Sequence, residues 1–216
     1  MYSGGVTADA ARHPDVAYVV LPSKGQGQDR VAVIRAPEAL VLAVADGSGG
    51  MRGGAEAAEH AVRMISDAAH EANAQHPEAW ASLITRIDAT PAVGRGQCAL
   101  VVAVVVENTI VGASAGDCGA WLVTDRIEEL TEEQVRKPLV GSGSAVPVAF
   151  KAELGKGTLL LASDGLLKYA PRDRIAALAR GPNLEAAAHH VAELPRLRSG
   201  ALPDDLGVVL CRERAR

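Results

Sequence analysis

The chain has 216 residues, 48% of them hydrophobic and 22% charged, which places it among ordinary globular proteins and excludes disordered and fibrous classes. Its 26 acidic residues outnumber 22 basic ones for a net charge of -4, and aromatics make up 3%, so both the charge and the stacking surfaces that nucleic-acid binding requires are lacking. No apolar run approaches the roughly 20 residues of a membrane span, the start MYSGGVTADA has no signal-peptide pattern, and Cys98, Cys118 and Cys211 are too few and too scattered for a disulfide framework or a zinc site. The expectation is one domain over residues 1–216, cytoplasmic and monomeric, with loose ends at 1–13 and 212–216 and its cysteines reduced in the core.

In chain order, Val16 to Leu21, Arg30 to Arg35 and Leu40 to Ala45 are short β-branched or apolar runs separated by Pro, Ser and Gly, which predicts three strands. From Gly54 to about Ala74 the period changes: Ala57, Ala61, Met64, Ile65, Ala68 and Ala72 form one helical stripe, and Trp80, Leu83, Ile84 and Ile87 form another. Strand patterns return at Ala99 to Val106, Thr109 to Gly116, Ala120 to Thr124 and Ile127 to Leu130, joined by connections too short for parallel crossovers, so neighbours are expected antiparallel. VRKPLVGSGSAVPVAF, Val135 to Phe150, reads as a loop. A strand at Thr158 to Ala162 precedes two helices, one opened by Pro171 and stopped by Gly181-Pro182, the other capped by Asn183 with Leu184, Ala187, Ala188, Val191 and Leu194 inward. Leu206 to Cys211 is the last strand. Nearly every strand is apolar on both faces, so both faces need cover. The predicted class is α+β: a four-layer α-β-β-α sandwich of two mostly antiparallel sheets flanked by helix pairs.

Propensity does not explain where the carboxylates fall. VLAVADG ends in Asp46-Gly47, LLLASDG ends in Asp164-Gly165, PDDLGVVL opens a strand with Asp204-Asp205, and GASAGDCG places Asp117 at another strand end. One such Asp-Gly is more often a turn than a ligand. Several beside apolar cores are costly unless paired or metal-bound, and Lys and Arg are absent immediately around the first three motifs. Oxygen ligands favour Mg²⁺ or Mn²⁺, and Gly47 allows its backbone carbonyl to approach an ion.

These motifs resemble the metal-dependent Ser/Thr protein phosphatases of the PPM family, type 2C, in a short bacterial-like form. VLAVADGSGG is similar to the family's strand running into Asp-Gly-His/Met-Gly-Gly. GQGQDR, GQCALVVAVVV, GASAGDCGAWLV, LLLASDGLLKY and DDLGVVL resemble its remaining motifs in family order, across almost the whole chain. The resemblance implies that Asp46 bridges two Mg²⁺ or Mn²⁺ ions, the Gly47 carbonyl binds one, Asp164 and Asp204 hold the other, and Asp117 helps bind a third, weaker ion. It implies that Asp29 positions a metal's water and that Lys24 stands where the family has a phosphate-binding Arg. The implied activity is hydrolysis of phosphoserine or phosphothreonine on a protein substrate of a Ser/Thr kinase, by a metal-activated water without a phosphoenzyme.

The chain departs from that pattern at four places. Ser48 replaces the His that many members carry as general acid, Lys24 replaces a bidentate Arg, Gly119 replaces an Arg, and Asp205 stands where Asn is usual, leaving open which of Asp204 and Asp205 is the ligand. Two readings from other classes compete. GASAG matches a serine-hydrolase elbow, with Ser114, Asp164 and His189 in triad order, but a strand rather than a helix is predicted next. A non-catalytic binding module of the same fold is the other. GSGGMRGG, between a strand and a helix, lacks the Lys-Ser/Thr of a phosphate loop. His13, His60, His70, His76, His189 and His190 have no zinc spacing, and Trp80 and Trp121 read as core.

Overall fold

A computed structural model of the protein describes residues 13–48, 53–70, 75–90 and 96–214. Most of the two expected loose ends, residues 49–52 of the glycine-rich segment, and Ala72 with the expected last turn of the first helix therefore lie outside the described residues. Strands Asp15–Leu21 (β1), Arg30–Arg35 (β2) and Leu40–Gly47 (β3) precede helices Gly54–Ala68 (α1) and Pro77–Ala89 (α2). Strands Cys98–Val106 (β4), Thr109–Ala115 (β5), Gly119–Val123 (β6), Ile127–Glu129 (β7), Val148–Glu153 (β8) and Thr158–Ala162 (β9) follow. Helices Asp164–Leu167 (α3), Arg172–Ala179 (α4) and Leu184–Glu193 (α5) lead to the last strand, Leu206–Arg212 (β10).

The strands form two five-stranded sheets, ordered β1-β10-β9-β6-β7 and β2-β3-β4-β5-β8, and every pairing is antiparallel. Because side chains alternate along a strand, each doubly apolar strand feeds two cores. Val41, Ala43 and Ala45 of β3 pack with Ala61, Ile65 and Ile84 of α1 and α2. Their neighbours Leu40, Leu42 and Val44 meet Leu159, Leu161 and Val209 of the facing sheet. On that sheet's outer side, Leu160, Val208 and Leu210 pack with Ile175, Leu184 and Val191. Three apolar interfaces separate four layers, and the expected α-β-β-α sandwich forms. Asn183 caps α5 as expected, its side chain accepting from the Ala186 amide at 2.9 Å.

The structure corrects the sequence reading in three places. The segment read as a loop up to Phe150 becomes strand β8 from Val148, paired to β5 at the sheet edge. Its residues alternate half-buried and exposed, so it lacks the continuous apolar signal of its neighbours, and Gly112 opposite it leaves the space that the Phe150 ring fills. Asp164–Leu167 is a helical turn rather than a simple strand end. The link from β5 to β6 is not a hairpin: residues 116–118 carry the chain from one sheet to the other, turning at Gly116 with φ 106°, and β6 pairs with β9.

One buried carboxylate outside the acidic motifs supports the loop after residue 139. Asp88, near the end of α2, accepts hydrogen bonds from the amides of Gly141 (2.8 Å), Gly143 (2.9 Å) and Ala145 (2.9 Å). Val140 exchanges backbone bonds with Cys98, whose strand partner is Gly47, so the loop is fixed beside the end of β3. Asp88→Ala leaves three amides without that acceptor and is expected to lower unfolding free energy by about 2 kcal/mol, read from urea denaturation, with Asp88→Asn intermediate.

Candidate functional site

The end of β3, the start of β10, the end of β9 and the corner between β5 and β6 all come to one end of the sandwich, because the antiparallel pairings align them there. Ala162, just before Ser163-Asp164, lies between Gly119 and Val208, and Leu206 pairs with Leu21. Asp46, Asp117, Asp164 and Asp204 are thereby gathered, each half-buried. Asp29, from the loop before β2, is 3% exposed beneath them.

Their electrostatics show how closely they converge. Burial pushes the Asp46 carboxyl up to about 10, and the charges of Asp29, Asp164 and Asp117 push it further in the same direction. Burial also pushes Asp29 up to about 7 against the opposing Ser163 hydroxyl, with Asp205 and Asp164 adding to the rise. Asp164 is raised by burial, then by Asp117 and Asp204, while Asp46 and Lys168 oppose the rise. Asp46 is close enough to both Asp29 and Asp164 to shift their protonation. Among the described residues, no group of three or more His, Cys, Asp or Glu side chains is placed so that it could hold a metal ion as it stands. The donor set is all oxygen, and the buried Asp29 Oδ2 has no hydrogen-bond partner. Such a set fits a hard divalent cation such as Mg²⁺ or Mn²⁺ and does not fit zinc, for which nitrogen or sulfur is usual.

The supporting residues are specific. Both oxygens of Asp205 are spent on the loop between β1 and β2: Oδ1 accepts from the Ser23 amide (2.6 Å) and hydroxyl (2.9 Å), and Oδ2 from the Gln28 amide (2.7 Å). Asp205 is therefore a tie that holds the segment carrying Asp29. Asp204 accepts from the Asp205 amide through one oxygen at 3.0 Å, and its other oxygen accepts from no protein donor among the described residues. A Cβ on Gly165 would fall 1.8 Å from the Asp205 carbonyl oxygen, so only glycine lets α3 sit against the Asp204-Asp205 turn. Gly47 has the same constraint against the start of α1, where a Cβ would lie 2.4 Å from the Gly54 carbonyl oxygen. The Ser163 hydroxyl accepts from the Gly207 amide at 2.9 Å and ties β9 to β10.

Of the remaining sequence candidates, Lys24 is exposed on the β1–β2 loop, and Ser48 is half-buried with its amide bonded to the Gln97 carbonyl. Ser114 does not belong to a triad. It lies inside β5, 1% exposed, with no helix after it, while His189 lines a groove of about 580 Å³ with Asp15 and Arg212 at the far end of β10. Sequence reasoning missed two residues at the site, Ser163 and Lys168, and left the role of a third, Asp205, open. Asp205 and Ser163 act through contacts with distant residues, which no local pattern announces, and Lys168 was passed over when cations were judged absent from the three motifs. The four-residue spacing from Asp164 was the available signal.

A sandwich of two antiparallel sheets between helix layers, with aspartates gathered at one end, defines the structural class. Solved structures with this architecture include the serine/threonine phosphatase Stp1 from Staphylococcus aureus, with TM-score 0.83, 19% identity, and coverage of 99% of this chain and 100% of that one. The serine/threonine phosphatase of S. agalactiae has TM-score 0.80 and 19% identity over 94% of this chain and 100% of its own. The catalytic domain of the serine/threonine protein phosphatase PstP, solved in complex with two manganese ions, has TM-score 0.72 and 17% identity over 93% of this chain and 98% of that one. At these identities the likeness establishes the fold. No protein-family model and no curated protein matches the sequence.

Two outcomes are expected from this geometry. Asp29 and Asp46 hold protons more tightly folded than unfolded, so their contribution to stability is complete below the ordinary value of 3.8 and is lost as pH rises through about 7 and about 10. Chelator-treated protein should therefore lose thermal stability as pH is raised from about 5 to about 9, and Asp46→Asn should flatten that slope; a flat wild-type profile would contradict the assignment. Gly165→Ala forces α3 off the Asp204-Asp205 turn and is expected to cost about 1–3 kcal/mol in chemical denaturation.

Proposed function

We propose that this protein is a metal-dependent phosphatase that hydrolyses phosphoserine and phosphothreonine on proteins. The observation that supports the reading most is the convergence of Asp46, Asp117, Asp164 and Asp204 over buried Asp29, at one end of a fold shared with bacterial serine/threonine phosphatases. A structural protein gains nothing from such an arrangement. At an effective dielectric of about 20, two carboxylates about 5 Å apart repel by roughly 3 kcal/mol.

In this reading Asp46 and the Gly47 carbonyl would hold two divalent ions together with Asp164 and Asp204, and Asp117 would help hold a third, weaker one. Asp204 is preferred over Asp205 as the ligand because both Asp205 oxygens are committed to Ser23 and Gln28. Ions held there would supply a water nucleophile active near neutral pH and would stabilise charge on the phosphoryl oxygens. Asp29, buried with one oxygen free, orients a water from beneath the cluster. Lys24 approaches the substrate from the β1–β2 loop. Ser48 offers no group able to protonate the leaving oxygen efficiently, so that proton comes from solvent. No helix of the described residues is long and apolar enough to cross a membrane; the reading takes the substrate as a cytoplasmic phosphoprotein of a Ser/Thr kinase and the enzyme as a monomer.

The test is hydrolysis of p-nitrophenyl phosphate and of a phosphoserine peptide with Mn²⁺, with chelator, and with Asp164→Asn. Turnover is expected only with the metal, falling at least about 100-fold in the variant. Turnover that survives both chelation and the substitution would remove the mechanism. Calorimetry that detects no Mn²⁺ binding would favour a non-catalytic module instead.

A further inference from the structure

Among the leading influences on the three perturbed carboxylates, every charged group is another carboxylate except one, Lys168. Its position follows from α3. Lys168 is the residue that ends this turn, with its amide on the Asp164 carbonyl at 2.9 Å. The four-residue spacing puts the Lys168 and Asp164 side chains on the same face of the helix. The ammonium lies 5.1 Å from the centroid of the Tyr169 ring, a cation–π contact that steadies an otherwise flexible side chain. Tyr169 and, to a lesser degree, Asp164 and Asp204 hold the amine above its ordinary range, so it is charged throughout the working pH range. No Asp or Glu reaches it within ion-pair distance among the described residues, and the residue is exposed.

A cation fixed at the rim of an acidic cluster, not consumed by an ion pair, is suited to an anion arriving from solvent. We propose that Lys168 is a substrate-binding residue that contacts the phosphoryl oxygens of the ester, from α3 and independently of Lys24. This rests on the phosphatase reading above and names a second recognition element for the same site. The contact is a point-charge one. The ammonium donates to a phosphoryl oxygen without the paired geometry a guanidinium provides, so recognition at this position depends on charge more than on orientation.

Two measurements test this. In the first, wild type, Lys168→Met and Lys168→Arg are assayed on p-nitrophenyl phosphate with saturating Mn²⁺. Lys168→Met should raise KM about tenfold with kcat changed less than about threefold, and Lys168→Arg should restore KM to within about threefold of wild type. Both variants are at an exposed position, so circular dichroism and thermal unfolding should be unchanged. In the second, the five lysines are acetylated with an N-hydroxysuccinimide ester in the presence of Mg²⁺, with and without inorganic phosphate, and modification is read by mass spectrometry. Phosphate should slow modification of Lys168 and leave Lys137, Lys151 and Lys156 unaffected. Unchanged KM in Lys168→Met, equal impairment in Lys168→Met and Lys168→Arg, or no phosphate protection of Lys168 would overturn the assignment while leaving the phosphatase reading intact. A wild-type protein that turns over no phosphate ester would instead overturn that reading and this assignment with it.

Discussion

Gathering carboxylates at a partly buried position is opposed twice, by lost hydration and by mutual repulsion, and the protein does it with strand ends. Asp46, Asp164 and Asp204 each continue or begin a strand whose side chains are buried on both faces. Fully burying one valine or leucine contributes about 1.5–3 kcal/mol. A few residues per strand therefore offset the roughly 3 kcal/mol of repulsion between two carboxylates about 5 Å apart. Because the three cores fix where the strands end, the carboxylates have no freedom to separate. Burial and its neighbours push the Asp46 carboxyl up to about 10, so protonation relieves the repulsion around it, and a divalent cation would relieve it more completely.

Adjacent aspartates in this arrangement have opposite tasks. Asp205 is spent on the amides of Ser23 and Gln28 and on the Ser23 hydroxyl, drawing the β1–β2 loop onto the start of β10. Asp204, one residue earlier, turns toward Asp164. The separation follows from Gly165, which rests on the Asp205 carbonyl and so brings α3 against this turn and no other. A carboxylate with two or three backbone donors is a rigid strut. The protein uses the same device at Asp88, where the acceptor is a helix end and the donors belong to a loop.

Periodicity made the layers legible. Doubly apolar strands, alanine-rich helical stripes and Asp-Gly at strand ends are local patterns, and they lead to the sandwich and to the acidic residues that meet in it. What local patterns do not carry is the identity of a distant partner. Asp205 and Ser23 are 182 positions apart, and nothing in PDDLG distinguishes the strut from its neighbour. Strand β8 was missed for a related reason: as an edge strand it needs only alternate burial, and Gly112, which makes room for Phe150, lies more than thirty residues earlier. The crossing at residues 116–118 looks like a hairpin in sequence, because only the pairing of β6 with β9 shows that the chain has changed sheets.

That crossing also bears on how the site meets a substrate. It brings Asp117 to the cluster, α3 carries Lys168 one turn beyond Asp164, and the loop from residue 139 is held beside the end of β3 by Asp88. Residues that approach the cluster from these segments are anchored by backbone hydrogen bonds or short helices. A rim so anchored selects by fixed charge and shape instead of by closing over its ligand. In a chain whose net charge is -4, an acidic centre by itself would repel a phosphate ester. In the proposed phosphatase reading, recognition would therefore be carried by cations next to that centre, whether bound ions among the aspartates or a lysine set one helical turn beyond the end of a strand.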